Sequence, residues 1–223
     1  LRSCWTVENV DTHCLVGMDV KGLELRMLAH YMQDDSFTSE VIDGDPHTYN
    51  QNAAGLETRA QAKTFIYALL YGAGAAKIGS IINGSSRKGK ETQDKFLRNV
   101  PKLGKLINAV QKKANRGYIR GIDGRKLWIR QTRAALNTLL QGGGAVVCKQ
   151  WSIILYDEIQ RRNLDAHLVN TIHDEQQYEV SKEHAEELME IADTTMLETG
   201  RFFDMRLPLN ADAKMGTTWA ETH

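Results

Sequence analysis

Apolar runs near both ends of the chain predict strands. Residues 14–19 form an apolar run that ends in a carboxylate, as buried strands often do. Residues 168–172 and 176–180 predict two more short strands, with residues 173–175 between them at the tip of a hairpin.

Apolar positions at helical spacing predict that most of the remaining chain is helical. One such run covers residues 23–32, and a clearer one covers residues 58–71. Thr58 can cap the second helix, with Gln61 in the third helical position of a capping box. An acidic helix is expected over residues 181–197.

The middle of the chain adds two helices, a small hairpin and one unusual feature. We expect the apolar repeat of residues 96–110 to be divided near Pro101 and Gly104, and residues 118–129 to form a hairpin. A long helix over residues 134–160 would contain glycine at 142–144. Each helical glycine costs about 1 kcal/mol relative to alanine, so a close neighbour is expected there, either a strand or the backbone of a bound molecule.

Together these elements predict an α+β fold. The strands come from both ends of the chain and form a small antiparallel sheet packed on helices, and a mostly helical part is inserted between them.

Composition adds a division of charge to this organisation. The 223 residues have a net charge of zero and ordinary globular content, with 42% hydrophobic and 25% charged residues. Residues 87–133 hold 15 Lys or Arg and 3 acids, whereas residues 157–204 hold 13 acids and 4 Lys or Arg. This asymmetry points to a half that faces a polyanion, although solvated helices also collect basic residues.

Cysteine content and hydropathy bear on where the protein works. Three scattered cysteines suit a reducing compartment, and no apolar run approaches the roughly 20 residues that cross a bilayer. We therefore expect a cytoplasmic protein with no membrane partner. The first residue is Leu1, not Met, so a processed product or an excised piece is expected.

Two acidic positions are candidate metal ligands. Asp19 ends one predicted strand, and Asp174 with Glu175 lies at the hairpin tip about 150 residues later. Carboxylates on adjacent strand ends can hold two Mg²⁺ ions about 3.5–4 Å apart, which is the chemistry of phosphoryl transfer. For Asp174 taken alone, ordinary turn chemistry is the favoured explanation.

The capped helix carries a candidate anion site. Arg59, Lys63, Tyr67 and Tyr71 are spaced by four and form one slanted stripe. The two cations lie near the positive end of the helix dipole, which is unfavourable unless an anion binds there. A triphosphate would supply that anion, and the tyrosines could contact a base and a sugar.

In these segments the chain resembles family A DNA polymerases, the DNA polymerase I superfamily. Residues 19–26 (DVKGLELR) resemble the first palm motif, residues 59–72 (RAQAKTFIYALLYG) the nucleotide-binding helix of the fingers, and residues 173–175 (HDE) the third palm motif. Their order and spacing agree, and the ending KMGTTWA resembles phage replicases of this family.

The resemblance implies a DNA-directed DNA polymerase that uses two Mg²⁺ ions, for which Mn²⁺ can substitute. Asp19 and Asp174 match the metal-binding aspartates, with the Val20 carbonyl as a further ligand. Glu175 matches a supporting acid near the primer end, and Lys63 a proton donor to the leaving pyrophosphate.

The resemblance also implies contacts to substrates. His47, Arg59 and Lys63 match residues that bind the incoming dNTP; Glu24 matches the acid that disfavours ribonucleotides, and Tyr71 an aromatic near the templating position. A further set matches contacts to primer-template DNA, three of them at four-residue intervals on one expected helix face: Arg133, Asn137, Gln141 and His173.

Tyr67 occupies a position where many members of the family have Phe. A tyrosine hydroxyl can replace the hydrogen bond that is lost when the incoming sugar lacks a 3′-OH. We therefore expect ready acceptance of dideoxynucleotides.

The resemblance divides the chain into palm (1–31), fingers (32–133) and palm again (134–223). Thumb and exonuclease domains are expected to be absent, and to be supplied by the same polypeptide or by a partner chain. Alone, the chain should bind primer-template poorly, because affinity depends steeply on the number of phosphate contacts.

Two other functions remain open from the residues themselves. His173 and Asp174 with His30 or His47 could form the metal site of a phosphohydrolase, which would require the His-Asp pair to lie on a helix. The chain could also be a non-catalytic binding or architectural subunit that keeps the fold.

Overall fold

The structure is a computed structural model that describes all residues, 1–223. Its strands are β1 (His13–Val20), β2 (Tyr118–Arg120), β3 (Lys126–Trp128), β4 (Ala166–Ile172), β5 (Glu175–Ser181) and β6 (Ala211–Gly216). Its helices are α1 (Leu23–Met32), α2 (Asp35–Ile42), α3 (Pro46–Ala54), α4 (Arg59–Leu70), α5 (Ala75–Ile81), α6 (Ser86–Asn99), α7 (Pro101–Ala114), α8 (Ala135–Arg162), α9 (Ala185–Phe202) and α10 (Trp219–Thr222). Short 3₁₀ turns cover Arg2–Cys4 and Thr132–Ala134.

The chain divides into two compact units. The sheet unit contains Leu1–Leu23 and Gly144–His223, and the helical unit contains Glu24–Gly143. A sheet-bearing unit is thus built from both ends of the chain around a mostly helical insertion, as the α+β prediction expected. The two units meet in sequence inside α1 and inside α8.

The sheet unit is organised by a four-stranded antiparallel sheet in the order β4-β5-β1-β6. Strand β1 lies in the middle, and residues 15, 16 and 18 are buried on it. In this register Asp19 is the partner of Glu175 on β5 and of Asp212 on β6. Three acidic residues from three strands therefore share one end of the sheet.

Helices α8 and α9 contribute the core of the sheet unit. Trp151 is fully buried, and its indole Nε1 donates to the Ala192 carbonyl (3.2 Å) and to Thr195 Oγ1 (3.0 Å). Such partners are needed when an indole N–H is removed from water. They also fix the packing of the two helices behind the strands.

Helix α8 runs without a break through Gly142–Gly144, so the predicted long helix is confirmed. A Cβ at Gly143 would lie 2.4 Å from Met27 Cε, one at Gly144 3.2 Å from Leu23 Cδ2, and one at Gly142 3.1 Å from Leu127 Cδ1. The close neighbours are side chains of α1 and β3. The glycines therefore let these side chains approach α8.

Local signals set the helices of the helical unit. Helix α4 has the expected capping box, in which Thr58 Oγ1 accepts from the Gln61 backbone N–H and the Gln61 side chain accepts from the Thr58 N–H. The basic apolar repeat is divided at Pro101, which begins α7, whereas Gly104 lies inside that helix. Edge-to-face packing of Phe65 on Phe96, with ring centroids 5.2 Å apart, holds α4 against α6.

Some elements differ from the sequence predictions. The acidic helix α9 begins four residues later than expected, at Ala185, and Glu175 is the first residue of β5. Helices α2, α3 and α5, strand β6 and helix α10 had no prediction. None of the ten helices combines the length and the apolar character that a membrane span requires.

Candidate active site

The sheet unit brings two candidate metal ligands to adjacent strands. Asp19 is near the end of β1, and Asp174 is in the two-residue turn between β4 and β5, where His173 has a left-handed backbone (φ 55°). The backbone N–H of Val20 donates to the Asp174 carbonyl over 3.3 Å. This bond ties the turn to the end of the neighbouring strand.

The acids at this strand end interact electrostatically. Burial and the negative charges of Asp174 and Glu175 raise the pKa of Asp19 to about 6. Nearby Cys148 is buried on α8; burial and the charges of Asp174 and Asp19 raise the pKa of its thiol to about 12. Burial is the larger cause in both cases, and the neighbouring carboxylates add to it; a bound cation would offset their charge.

Glu175 differs from the two aspartates because three side chains already donate hydrogen bonds to its carboxylate. Trp219 Nε1 and Gln177 Nε2 donate to Oε1, and His223 Nδ1 donates to Oε2. Burial raises the pKa of Glu175, but these hydrogen bonds outweigh it, and the pKa lies below its ordinary value. Glu175 is therefore an anion with a fixed orientation.

The donor set fits magnesium rather than zinc. Asp19, Asp174 and the Val20 carbonyl offer only oxygen, the ligand that Mg²⁺ prefers, and Mg²⁺ commonly uses one or two carboxylates and keeps several waters. No group of three or more His, Cys, Asp or Glu side chains is arranged to hold an ion. Asp174 also lies in a turn and not on a helix, so the structure does not support the helical His-Asp site of a phosphohydrolase.

The helical unit contains four residues of the predicted nucleotide site on or near α4: His47, Arg59, Lys63 and Tyr67. Arg59 Nε and Nη2 donate to the two oxygens of Asp45, at 2.6 and 3.0 Å. Hydrogen bonds from Arg59 lower the pKa of Asp45 far below its ordinary value. Asp45 also caps α3 by accepting from the backbone N–H of His47.

His47 lies between this ion pair and an aromatic ring. Its ring centroid is 6.2 Å from that of Tyr67, and its Nδ1 is buried without a hydrogen-bond partner. Burial and the charge of Arg59, with a smaller effect of Lys63, lower the pKa of His47, against the opposing effect of Asp45. The imidazole is therefore neutral near pH 7.

Lys63 lies one turn along α4 from Arg59 and is exposed to solvent. Its Nζ donates to no acceptor of the protein, unlike Arg59. Two cations thus lie in the first turns of a helix whose dipole already places positive charge there. Asp45 already pairs with Arg59, so Lys63 is the cation here that a further anion would stabilise.

The other predicted contact residues fall into two places. Tyr71 directly follows α4, and its Oη donates to Glu24 Oε2 over 3.2 Å. Asn137 and Gln141 lie on α8, where the Asn137 Oδ1 is buried without a partner.

Arg133 is not on the helix where it was expected. It lies in the 3₁₀ turn that precedes α8, with its Nε donating to Gln131 Oε1 (3.1 Å). A Cβ on Gly72 would lie 2.5 Å from the Arg133 carbonyl oxygen, so the turn after α4 packs directly against this backbone.

Sequence reasoning missed Cys148, Trp219 and His223 as members of the site. Trp219 and His223 lie 44 and 48 residues from Glu175 along the chain, so no local pattern joins them to it. The signal available in the sequence was the capping box of α10, formed by Thr218 and Glu221, which places a short helix after β6.

A family model and curated relatives both match this chain. The family model described as DNA polymerase family A matches residues 1–221. The DNA-directed DNA polymerases of Enterobacteria phage T3 and Escherichia phage T7 are 40% and 39% identical over 232 residues and match 93% of this chain. The DNA polymerase I of Aquifex aeolicus is 28% identical over 240 residues and matches 99% of it.

The relatives are longer than this chain. It spans 33% of the length of each of the two phage polymerases and 41% of the Aquifex protein. A solved structure, the POL domain of an M. smegmatis protein in complex with DNA primer-template and dNTP, has the same fold, with a TM-score of 0.87 and 23% identity over 98% of this chain and 42% of that one. With a family match over nearly its whole length, the chain belongs to DNA polymerase family A.

Proposed function

We propose that this chain is the fingers and carboxyl-terminal palm part of a DNA-directed DNA polymerase, which adds a dNTP to a primer 3′-OH. The sheet unit would be the palm and the helical unit the fingers. One observation carries the proposal: Asp19 at the end of β1 and Asp174 in the β4–β5 turn share an end of the sheet, where burial and the charges of Asp174 and Glu175 raise the pKa of Asp19 to about 6. The names of the phage relatives agree with this activity.

In this proposal Asp19, Asp174 and the Val20 carbonyl hold two Mg²⁺ ions. The ions would supply positive charge that favours ionisation of the attacking hydroxyl and stabilises the leaving pyrophosphate. The protein contributes the placement of the carboxylates. The β1–β5 pairing and the Val20–Asp174 backbone bond keep them at one strand end before substrate arrives.

The helical unit would bind the triphosphate of the dNTP. Asp45 engages Arg59 through Nε and Nη2, which fixes the guanidinium and leaves Nη1 to donate to a phosphate. Neutral His47 can donate one ring N–H to a phosphate oxygen without adding charge. Lys63 Nζ has no competing acceptor and would transfer a proton to the pyrophosphate oxygen.

The remaining residues would act on the sugar and on DNA. The Tyr71–Glu24 hydrogen bond would hold Glu24 beside the 2′ position of the incoming sugar and Tyr71 near the templating base. Arg133, Asn137, Gln141 and His173 would contact primer-template, with amides that read the nearly degenerate minor groove.

Thumb and exonuclease functions would come from another portion of the protein or from a partner chain, since the chain spans a third of its phage relatives. The isolated chain should therefore bind primer-template weakly and extend it slowly. Addition of a thumb-bearing portion should restore extension. Processive synthesis by the chain alone would contradict this part of the proposal.

Primer extension by the polymerase that carries these residues tests the activity. Asp174→Asn should reduce single-turnover extension by at least about a thousandfold, because the carboxylate that helps to hold the ions is lost. The matched control is Asp212→Asn, an exposed acid at the same sheet end that pairs with Lys21; it should stay within about twofold of the parent. Equal extension by Asp174→Asn and parent would favour a non-catalytic subunit.

A further inference from the structure

A buried anion lies beside the proposed metal ligands and receives three donors. Glu175 is 6% exposed and is the register partner of Asp19. Trp219 Nε1 donates to Oε1 over 2.5 Å, Gln177 Nε2 to the same oxygen over 2.6 Å, and His223 Nδ1 to Oε2 over 2.7 Å. Hydrogen bonds to an ionised acceptor are about twice as strong as neutral ones, so this arrangement fixes the carboxylate.

Two of the donors come from the end of the chain, and that segment is held firmly. The capping box of Thr218 and Glu221 starts α10, and the Trp219 backbone N–H donates to the Trp5 carbonyl over 3.0 Å. At the other end of α10, Thr222 Oγ1 donates to Gln177 Oε1 over 2.8 Å. Helix α10 is thus anchored both to the start of the chain and to β5.

The central strand is shaped to receive α10. A Cβ on Gly17 would lie 2.4 Å from Gln177 Nε2 and 2.5 Å from the Thr222 carbonyl oxygen, which is backbone and cannot move aside cheaply. Glycine at this position of β1 therefore allows α10 to reach the sheet. Gly17, the capping box of α10 and two aromatic donors, Trp219 and His223, therefore all contribute to the surroundings of the Glu175 carboxylate.

From this geometry we infer that Trp219 and His223 are positioning residues that act through Glu175. By occupying both carboxylate oxygens they hold Glu175 as an oriented anion beside Asp19, where it acts on the primer end and stays out of the ion's coordination shell. This inference rests on the proposed polymerase function. Neither residue matched a site motif in the sequence.

Substitution of the indole donor tests the inference in the polymerase that carries this chain. Trp219→Phe removes the N–H and keeps an aromatic ring against Trp5, which packs edge-on at 6.5 Å. We expect kcat to fall about tenfold, the cost of one charge-assisted hydrogen bond, with the KM for dNTP nearly unchanged. Trp5→Phe is the matched control and should leave kcat unchanged, because its indole does not reach Glu175.

A double substitution separates positioning from a structural role. If Trp219 acts through Glu175, Trp219→Phe should cost nothing further in kcat once Glu175→Gln is present. Additive losses, or a Trp219→Phe enzyme equal to the parent, would overturn the inference. Thermal unfolding of each variant verifies that the fold persists.

His223 provides a second test that does not depend on the indole. His223→Ala should lower kcat, whereas His223→Asn, whose amide N–H can occupy the Nδ1 position, should restore most of it. Equal losses in the two variants would contradict the inference. Asp174→Asn is measured in the same assay. If Asp174→Asn extends primers as the parent does, the proposed polymerase function fails. If Asp174→Asn is inactive but the Trp219 and His223 variants extend primers as the parent does, the polymerase function stands and the positioning role fails.

Discussion

Removal of the Asp19 charge should stabilise the protein. In the folded chain the pKa of Asp19 rises from its ordinary 3.8 to about 6, through burial and the charges of Asp174 and Glu175. A rise of this size corresponds to about 3 kcal/mol at full strength. The Asp19 side chain is exposed, and solvent screening reduces the effect, so we expect about 1 kcal/mol.

The effect of the Asp19 charge on the free energy of unfolding depends on pH. Because the folded pKa is above the unfolded one, the ionised group destabilises the fold above pH 6, and the penalty disappears as pH falls through 6 toward 3.8. Asp19→Asn should therefore raise the free energy of unfolding by about 1 kcal/mol at pH 7.5 and by much less near pH 4.

Urea unfolding with EDTA present measures this directly. Asp212→Asn is the control, since that exposed acid forms an ion pair with Lys21 (2.8 Å) and should gain no stability when neutralised. Added Mg²⁺ should then stabilise the parent more than Asp19→Asn. If Asp19→Asn lowers the free energy of unfolding at pH 7.5, or raises it equally at all pH values, then burial and neighbouring carboxylates do not destabilise the ionised Asp19 side chain.

Three further predictions concern nucleotide choice, packing and thiol reactivity. Tyr67→Phe should make the polymerase discriminate against dideoxynucleotides, and equal incorporation by parent and variant in primer extension would contradict this. Gly17→Ala should lower the free energy of unfolding by about 1–3 kcal/mol in urea, because a Cβ there overlaps α10; an unchanged midpoint would be inconsistent with that packing. Native protein should react with a thiol reagent at exposed Cys4 only, with buried Cys14 and Cys148 reacting after unfolding; a second fast thiol would contradict their burial.

Features with local causes could be predicted from the sequence. The bounds of α1 are as expected, and the capping box of α4 is present with both of its hydrogen bonds. Caps and apolar periodicity depend on residues within a few positions of one another, so they are legible in a single sequence. The pairing of Asp19 with the β4–β5 hairpin could be foreseen only because both carboxylates end apolar runs.

Features with distant causes could not be predicted. The glycines of α8 are explained by Leu23, Met27 and Leu127, none of which adjoins them in sequence. Strand β6 lies beside β1 although about 200 residues separate them in the sequence. Helix α10 follows β6 and in this way reaches Glu175, which is 44 residues from Trp219. Arg133 lies in a 3₁₀ turn, where its backbone packs closely on Gly72, and the four-residue spacing of the sequence does not indicate such a contact.

Bound ions would show whether the Asp19 and Asp174 carboxylates hold the catalytic metals together. Anomalous diffraction can locate them in crystals of the polymerase grown with Mn²⁺, primer-template and an unreactive dNTP analogue. We expect an ion bonded to an oxygen of both aspartates, at about 2.0–2.2 Å, with the Glu175 oxygens still hydrogen-bonded to Trp219 and His223. An ion held elsewhere, or bonded to only one of the two aspartates, would contradict it.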